Sequence, residues 1–426
     1  MVESGQPRQR QRPRGAARLW LASPGYRSLW SARTCSYLGD ALLLVILLLH
    51  LADTTGQALS VALLLLVGDF APALLGPLTG TVSDRFGPKR VMVVCDITQG
   101  AAVVLMVLVT EALLPLLILV GVRAVAGQVF LPASRSAVPM LVADNDLGRA
   151  NAGLGLGVNL AEIFGPILAA ALLSAVDVRA GLWVAAAVFG LSALLVSTLP
   201  GLPPVADAKE ETVGLLAATR SGLAFVWSTS LVKIIVAGFV GTVVFNGIDD
   251  VALVFLAVDV LGGSTAQAGL LYAAVGIGLV AGFLALSNAR VRVPMVPLLV
   301  IGLAVSSAGN LLTGLAGAVA VAFTWQAVRG IGIAAVDVAV STLLQRTVPP
   351  AMLGRTFGNL YGAVGLAAGL SYVVGGLALN VTSARVVFVV AGAGGLLVTA
   401  ATAAVLLWRV RRHHPGAPCP SSDAPR

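Results

Sequence analysis

The sequence predicts an all-α membrane protein in which twelve transmembrane helices form two pseudo-symmetric bundles of six. Its composition, its long apolar segments and an internal repeat all support this fold class. Hydrophobic residues make up 58% and charged residues 11% of the chain, and the mean hydropathy is +0.95. Soluble globular proteins have about 25% charged residues, so this chain lacks the polar surface to cover a water-soluble particle. We therefore expect lipid to be its solvent.

Apolar segments long enough to cross a bilayer recur along the 426 residues. A spanning helix needs about 20 residues, and helices are expected because backbone groups in lipid must hydrogen-bond within their own segment. The predicted spans are 35–52, 58–82, 89–110, 113–134, 151–174 and 181–199 in the first half, and 231–257, 266–287, 295–316, 318–343, 356–379 and 384–408 in the second.

Five regions follow from these spans. Pro200-Gly201-Leu202-Pro203-Pro204 and the charged run after it mark a linker between the bundles. We expect residues 212–230 to lie along the membrane surface as an amphipathic helix. The predicted regions are a cytoplasmic N-terminal segment (1–34), a first six-helix bundle (35–199), a cytoplasmic linker (200–230), a second six-helix bundle (231–408) and a cytoplasmic tail (409–426).

Basic residues lie mainly on one side of the predicted membrane. Of the 27 lysines and arginines, only Arg179 and Arg385 fall on the other side, while Arg123 and Arg329 lie within spans. Because cytoplasmic loops carry the excess of Lys and Arg, we expect both termini in the cytoplasm of a bacterial cell, with the chain in the cell membrane. The net charge of +8 is explained in this way and indicates no nucleic-acid partner.

An internal repeat relates the two halves. Arg123 is followed after 24 residues by Leu147-Gly148-Arg149, and Arg329 is followed after 24 residues by Leu353-Gly354-Arg355. The copies are offset by 206 residues (329 − 123 and 353 − 147). Repeated halves around a path at the membrane midplane are typical of transporters. The expected partners are therefore the lipid bilayer and a small-molecule substrate, and we expect a monomer.

The loop between the second and third predicted spans carries the most specific local motif, Gly80-Thr81-Val82-Ser83-Asp84-Arg85-Phe86-Gly87-Pro88-Lys89-Arg90. A stop-transfer cluster of positive charges would explain Lys89 and Arg90 but not the spaced glycines or Asp84. The motif resembles the signature that the major facilitator superfamily carries in this loop, although Pro88 stands where the family often has a basic residue. The residues that fit the signature are Gly80, Asp84, Arg85, Gly87, Lys89 and Arg90.

The resemblance implies that this loop governs a conformational switch rather than substrate contact. Asp84 lies at a cytoplasmic helix end, where it can accept hydrogen bonds from a helix N-terminus across the groove or pair with a nearby arginine. We expect Asp96, near the cytoplasmic end of the third span, to be a partner of the charges in this loop. The matching loop of the second half, 287–292, keeps basic residues but lacks the Asp-Arg pair. We therefore expect the second half to lack the carboxylate contact that Asp84 can make in the first.

Two arginines lie well inside predicted spans, Arg123 in the fourth and Arg329 in the tenth. An arginine at the centre of a membrane helix costs at least about 2.5–3.5 kcal/mol, so each should face a partner or a wet cavity. The alternative is that Arg123 extends its side chain to the lipid headgroups. In the family that the loop motif resembles, the fourth-span arginine is linked to proton coupling.

The fifth predicted span carries a stripe of small residues at intervals of four: Gly153, Gly157, Ala161, Gly165 and Ala169. Small residues let two membrane helices pack backbone to backbone, and Pro166 removes one helical hydrogen bond and favours a bend. The stripe with Gly165-Pro166 resembles the exporter (antiporter) signature of the superfamily, which implies efflux. Tight packing without a directional meaning is the alternative.

Carboxylates within the predicted spans are candidates for proton coupling or for the substrate cavity. A carboxylic acid in a medium of low dielectric has a raised pKa and can exchange a proton near neutral pH. Structural ion pairs, or acids bound by water at helix ends, are the alternative. Together with Arg123 and Arg329, the candidates are Asp40, Glu162, Asp249, Asp250 and Asp337.

Further segments narrow the resemblance to the subgroup of the superfamily that contains the enterobactin exporter and the macrolide efflux proteins. They are Ser36-Tyr37-Leu38-Gly39-Asp40-Ala41, Pro132-Ala133-Ser134-Arg135, Asp146-Leu147, Asn151-Ala152 and Gln345-Arg346-Thr347-Val348-Pro349. The resemblance implies a proton-coupled exporter of a small amphipathic molecule such as a drug, a macrolide or a siderophore.

Two other functions are weighed against export. An importer or uniporter would share the fold. An integral membrane enzyme would need a His cluster or an activated Ser or Cys, and the sequence offers neither. It also has no Gly-x-x-x-x-Gly-Lys-Ser/Thr phosphate loop and no metal-ligand spacing among Cys35, Cys95 and Cys419. The expectation is therefore a non-enzyme without metal or cofactor, driven by an ion gradient.

Overall fold

The computed structural model describes residues 16–55, 58–70, 72, 75–203, 215–289 and 293–413. Within these residues the secondary structure is helical. Six spans form the first half: Pro24–Thr55, Ala58–Leu65 with Gly76–Phe86, Pro88–Leu108, Leu113–Leu141, Leu147–Ala175 and Val178–Ser197. Six more form the second: Ser230–Asn246 with Asp249–Phe255, Thr265–Ser287, Met295–Gly314, Val319–Thr347, Leu353–Leu379 and Ala384–His413.

The predicted fold class, a helical membrane protein with two bundles of six spans, is confirmed. Among the described residues, 11 helices are long and apolar enough to cross a membrane. The second span is the exception, because residues outside the described part separate Ala58–Leu65 and the π-helical Leu66–Phe70 from Gly76–Phe86. The seventh span is interrupted between Asn246 and Asp249 and ends in a second π-helical turn, Leu256–Val260.

The first span begins at Pro24 rather than at residue 35. Its first turns are polar but packed within the protein: the Tyr26 hydroxyl donates to the carbonyl of Ala150 at 3.0 Å. The guanidinium of Arg33 donates to the Ser134 hydroxyl at 3.2 Å. Hydropathy detects apolar segments, and these turns are polar, so they fall outside the apolar stretch from which the span was predicted. Residues 1–15 lie outside the described part.

A helix over Leu215–Ser228, which we call the linker helix, connects the halves. It falls within the predicted surface helix, 212–230, while residues 204–214 and 414–426 lie outside the described part. The linker helix packs on the second and eleventh spans. Thr219 shares a 3.3 Å hydrogen bond with Thr81, and the guanidinium of Arg355 donates to the Ser221 hydroxyl at 3.0 Å. This helix therefore contacts both halves.

Each half has its own apolar core. Fully buried side chains of the first half include Met106 and Phe189, and those of the second include Phe357 and Phe388. Many large apolar side chains instead lie on the outside of the bundle, as Leu397 does with 73% of its surface exposed. Such a surface is stable in lipid, where no hydrophobic penalty attaches to it.

The first span begins and the twelfth span ends at one face of the bundle, which we call the terminal face. The halves meet along the second span with the eleventh and along the fifth with the eighth and tenth. The polar contacts between the halves described below lie in the part of these spans nearest the terminal face. The protein is therefore closed at the terminal face.

Candidate functional site

The carboxylate of Asp84 joins the two halves at the terminal face. It lies at the end of the second span and accepts hydrogen bonds from the backbone N–H groups of Gly354, at 2.8 Å, and Arg355, at 3.0 Å. The Arg355 guanidinium lies 3.4 Å from the same carboxylate. Both side chains are buried. Asp84 thus occupies the N-terminus of the eleventh span, where the helix dipole favours a negative charge, and both contacts predicted from the sequence are present.

Glycines allow the second and eleventh spans to approach at their backbones. A methyl group at Gly80 would collide with the backbone of Gly354, and one at Gly76 would collide with the backbone of Gly362. Gly358 in turn lies against the backbone of Gly76 and Gly80. This close approach brings Asp84 within reach of the amides that it caps. We call the contact between these two spans the first seam.

The fifth and eighth spans form a second seam, related to the first by the internal repeat. Arg149, the counterpart of Arg355, donates through Nε and Nη2 to the carbonyl of Ala289 at 3.0 and 2.9 Å. Arg149 also pairs with Asp146 at 3.1 Å. The second seam therefore uses a backbone carbonyl where the first uses a carboxylate. Arg290 and Arg292 of the matching loop lie outside the described residues.

Three further contacts hold the halves together between the seams. Arg135 of the fourth span donates to both carboxylate oxygens of Asp337 in the tenth, at 2.7 and 3.0 Å. Asn151 donates to Gln345 at 2.7 Å. Arg346 pairs with Asp144 at 2.9 Å in an exposed position. The sequence predicted Asp337 as a cavity or coupling residue, and the structure places it in this closure. Its partner Arg135 was named from the sequence only as part of a segment that resembles the subgroup, not as an ion-pair partner.

The remaining charged residues of the Asp84 loop lie at the surface of the terminal face. Gly87 has a φ of 81°, a conformation that favours glycine, and it separates the second span from the third. The guanidinium of Arg85 lies 5.5 Å from the centre of the Phe86 ring, and Lys89 donates to the carbonyl of Leu199. Arg90 is exposed.

The predicted partnership of Asp96 with this loop is wrong. Asp96 is fully buried and accepts hydrogen bonds from Ser36 at 2.9 Å, Ser192 at 2.6 Å and Gln99 at 3.2 Å. These residues belong to the first, sixth and third spans. The side chain points into the first bundle rather than toward the second span, and the angular position of a residue on its helix is not visible from its distance to the loop.

The two arginines inside the spans form equivalent ion pairs in the two halves. Arg123 of the fourth span lies 2.8 Å from Asp40 of the first. Arg329 of the tenth span pairs with Asp249 of the seventh. The internal repeat relates the fourth span to the tenth and the first span to the seventh. Arg123 is therefore held by a carboxylate and does not extend to the lipid headgroups.

Two of the cavities beside these ion pairs are lined by Glu162, and they lie on the side of the closure away from the terminal face. The first, about 480 Å³, is lined by Asp40, Arg123 and Glu162 among mainly apolar residues. The second, about 250 Å³, lies between the halves and is lined by Glu162, Asp249 and Arg329. Glu162 of the fifth span therefore lies on the wall of both cavities. The side chain of Asp250 lies outside the described part of the structure.

Glu162 differs from the other two carboxylates in its contacts. Asp40 and Asp249 are each paired with an arginine, whereas Glu162 is exposed to the cavities and has no hydrogen-bond or ion-pair partner among the described residues. Its placement follows from the small-residue stripe of the fifth span, which faces the first. A methyl at Gly157 would meet Thr34 and Trp30, and one at Gly165 would meet Ala41.

The stripe thus packs against the first span, and the indole of Trp30 adds a 2.7 Å hydrogen bond to the carbonyl of Gly153. The fifth span remains a continuous helix through Pro166. Its other side packs on the second half, where Gly155 lies against the ring of Phe283. The fifth span is therefore the element that connects the cavities of the two halves.

Arg33 is a buried charge that the sequence did not single out. It is 2% exposed, lies 5.6 Å from the centre of the Tyr37 ring and has an Nε without a hydrogen-bond partner among the described residues. Arg135, Tyr361 and Asp337 lie within electrostatic range. The sequence signal for Arg33 is its position seven residues, or about two helical turns, before Asp40, but a basic residue there is equally typical of a cytoplasmic flank.

Comparison with known proteins supports the same fold family along most of the chain. The sequence profile of the Major Facilitator Superfamily matches residues 29–296. The MFS-type transporter YfiS of Bacillus subtilis (strain 168) is 28% identical over 88% of this chain and 91% of its own length. The enterobactin exporter EntS of Citrobacter koseri is 28% identical over 93% of this chain and 95% of its own length. The multidrug efflux pump Tap of Mycobacterium tuberculosis (strain H37Rv) is 30% identical over 44% of this chain and 46% of its own length.

Solved structures share the fold at lower sequence identity. The human organic anion transporter MFSD10 (TETRAN) superposes with a TM-score of 0.74 at 17% identity, over 89% of this chain and 99% of its own. A bacterial homologue of the iron transporter ferroportin in an outward-facing state gives a TM-score of 0.72 at 17% identity, over 91% of this chain and 99% of its own. The proton:xylose symporter XylE gives 0.67 at 15% identity, over 90% and 95%.

Proposed function

This chain belongs to the major facilitator superfamily of membrane transporters, and from that premise we propose that it exports small amphipathic molecules by alternating access. It is a multi-pass membrane protein and a transporter rather than an enzyme. The direction of transport, the coupling ion and the amphipathic nature of the substrate belong to the proposal. Members of one fold carry out different functions, so the fold alone does not determine any of these three points.

Export is supported by relatives and by the fifth span. EntS is named as an exporter and Tap as an efflux pump. The small-residue stripe through Gly165-Pro166, which resembles the exporter signature, packs against the first span at Gly157 and Gly165. An importer or uniporter is the second candidate, because the proton:xylose symporter XylE has the same fold.

The orientation that we propose puts the terminal face in the cytoplasm. The charge bias of the loops supports it, because Lys and Arg concentrate on the cytoplasmic side of membrane proteins. With this orientation the closure at Asp84, Arg135 and Arg149 shuts the cytoplasmic side, and the cavities beyond it belong to an outward-facing state. The return to the inward-facing state requires both seams to separate.

A proton gradient is the proposed energy source. The cavity carboxylates Asp40, Glu162 and Asp249 lie where protonation can change the balance of charge around the substrate path. The observation that carries the proposal is the repetition of one ion pair, Arg123–Asp40 and Arg329–Asp249, at repeat-related positions beside cavities that meet at Glu162. Such a pair is costly to bury without a function, since the membrane interior penalises each charge.

Uptake by inverted membrane vesicles tests the proposal. Vesicles that contain the protein are given an imposed proton gradient, interior acidic, and are supplied with radiolabelled erythromycin or with ethidium. Export predicts accumulation that collapses when a protonophore dissipates the gradient. Equilibration that does not depend on the gradient would instead indicate a uniporter, and accumulation only in right-side-out vesicles would indicate an importer.

A further inference from the structure

The charges on the residues that line the two cavities do not balance. Five described side chains carry them: Asp40 with Arg123, Asp249 with Arg329, and Glu162 alone. Each arginine is directly bonded to its aspartate, so the two pairs cancel. When all five groups are ionised, the remaining charge is the single negative charge of Glu162. This carboxylate is exposed to both cavities.

A buried charge outside the cavity walls, that of Arg33, does not neutralise Glu162 by direct contact. Arg33 of the first span is within electrostatic range of Glu162, but it is 2% exposed. Its guanidinium is directed to Ser134 and lies over the Tyr37 ring. Arg33 therefore acts from behind the cavity wall, and the carboxylate of Glu162 remains open to a ligand.

The rest of the lining is mainly apolar, and its uncharged polar side chains are Ser36, Tyr37 and Gln128 in the first cavity and Asn159 and Tyr272 in the second. Leu43, Leu47, Val120 and Phe130 are among the apolar residues that line the first cavity. An apolar wall with one unpaired carboxylate complements an apolar molecule that carries one positive charge, because the ligand body replaces water at the wall while its charge meets the acid. An anionic ligand would place two negative charges in a poorly solvated space, which is strongly unfavourable.

We propose that the cargo is an organic monocation, an onium or protonated amine on an apolar body, and that Glu162 is the carboxylate that binds it. The inference rests on the transport function proposed above and specifies the chemical class of its substrate. Proton binding and cation binding at this site are expected to compete. A single carboxylate holds either a proton or the cation, so loading with one displaces the other.

Binding of two ions of nearly equal size and opposite charge tests the proposal. Radiolabelled tetraphenylphosphonium and tetraphenylborate are measured by equilibrium dialysis against the purified full-length protein in detergent, in separate experiments because the two ions associate with each other. Triphenylphosphine oxide serves as a neutral probe. We expect saturable binding of the phosphonium and none of the borate.

Three variants localise the binding. Glu162→Gln removes the charge and should weaken phosphonium binding by about 10- to 100-fold, the range for loss of an interaction with a charged group. Glu162→Asp should recover a large part of the affinity. The control is Asp177→Asn, which removes one carboxylate at the N-cap of the sixth span and preserves a capping side chain. Asp177 lines neither cavity, so this variant should bind as the wild type does.

Several results would overturn the inference. One is that the borate binds as well as the phosphonium does. Another is that Glu162→Gln binds the phosphonium as the wild type does, while its elution in size-exclusion chromatography shows that it is folded. A third is that phosphonium, ethidium and erythromycin all fail to bind saturably. Failure of the transport proposal can be distinguished from failure of the cation-site proposal. Glu162-dependent binding without gradient-driven vesicle uptake refutes export alone, and uptake with Glu162-independent binding refutes the cation site alone.

Discussion

The carboxylate of Asp84 caps the backbone amide of Gly354 across 270 residues of sequence. This contact ties the last turn of the second span to the first turn of the eleventh, and the Arg355 side chain completes it. Because one partner lies in each half, the contact exists only while the terminal face is closed. Its strength therefore contributes directly to the equilibrium between the two states of the transporter.

Replacement of Asp84 by Asn should shift that equilibrium toward the state open at the terminal face. Hydrogen bonds to a buried charged group contribute about 1.5–3 kcal/mol, which corresponds to roughly 10- to 100-fold in population. Spin labels at the exposed positions Arg90 and Asn288 would report the change as a longer distance in pulsed electron–electron resonance. The matched control is Asp144→Asn, which removes the exposed pair with Arg346 and should change the distance distribution little. Equal effects of the two variants would contradict the proposed role of the Asp84 contact in holding the terminal face closed.

A methyl group at Gly80 should prevent the first seam from closing. The backbone of Gly354 occupies the space that the methyl needs, and overpacking of this kind costs about 1–3 kcal/mol. We expect Gly80→Ala to lower vesicle uptake several-fold at unchanged expression. Gly190→Ala is the control, because no atom lies within 4 Å of the methyl position there and alanine favours the helix. Normal uptake by Gly80→Ala would show that the seam tolerates a wider spacing.

The two repeat-related ion pairs should differ in their contribution to stability. Asp249 and Arg329 are 4% and 10% exposed, whereas Asp40 and Arg123 are 30% and 13% exposed. Removal of one partner from a buried pair costs about 3–5 kcal/mol because the other charge is left unpaired. Asp249→Asn should therefore lower the thermal unfolding temperature in detergent more than Asp40→Asn does. The double variant Asp249→Asn/Arg329→Gln should recover part of the loss, and a Tm no higher than that of the single variant would argue against a pairwise effect.

Glu162→Gln and Asp40→Asn should each abolish gradient-driven uptake by inverted vesicles while membrane insertion stays intact. The proposed coupling needs an acid that gains and loses a proton during the cycle, and an amide cannot do so. Expression and membrane content are checked by blotting of the vesicles used for transport. The coupling assignment fails if both variants pump normally with the same pH dependence as the wild type.

Reporter fusions should place both ends of the described chain in the cytoplasm. A fluorescent protein fused after His413 should be fluorescent and an alkaline phosphatase at the same point inactive, while phosphatase fused at Asp177, in the loop between the fifth and sixth spans, should be active. An odd number of crossings, or a periplasmic C-terminus, would contradict the positive-inside assignment. If the terminal face lay outside the cell, the cavities would belong to an inward-facing state instead.

The sequence by itself determined the class of the protein and the positions of its key charges. Hydropathy located the spans, because lipid exposure requires long apolar segments. The internal repeat related Arg123 to Arg329 and Arg149 to Arg355 from their spacing alone. The Asp84 motif indicated its own partners, since a carboxylate at a helix end binds amides or an arginine. These inferences use only local composition and spacing along the chain.

Tertiary structure alone decided which charges meet. The direction in which Asp96 points depends on how the third span is rotated against the first and sixth, so its partners Ser36 and Ser192 could not be read from its distance to the loop. The pairing of Arg135 with Asp337 and the isolation of Glu162 likewise depend on how the halves pack. Sequence fixes a residue's place on its helix, but the rotation of each helix is set by contacts with the others.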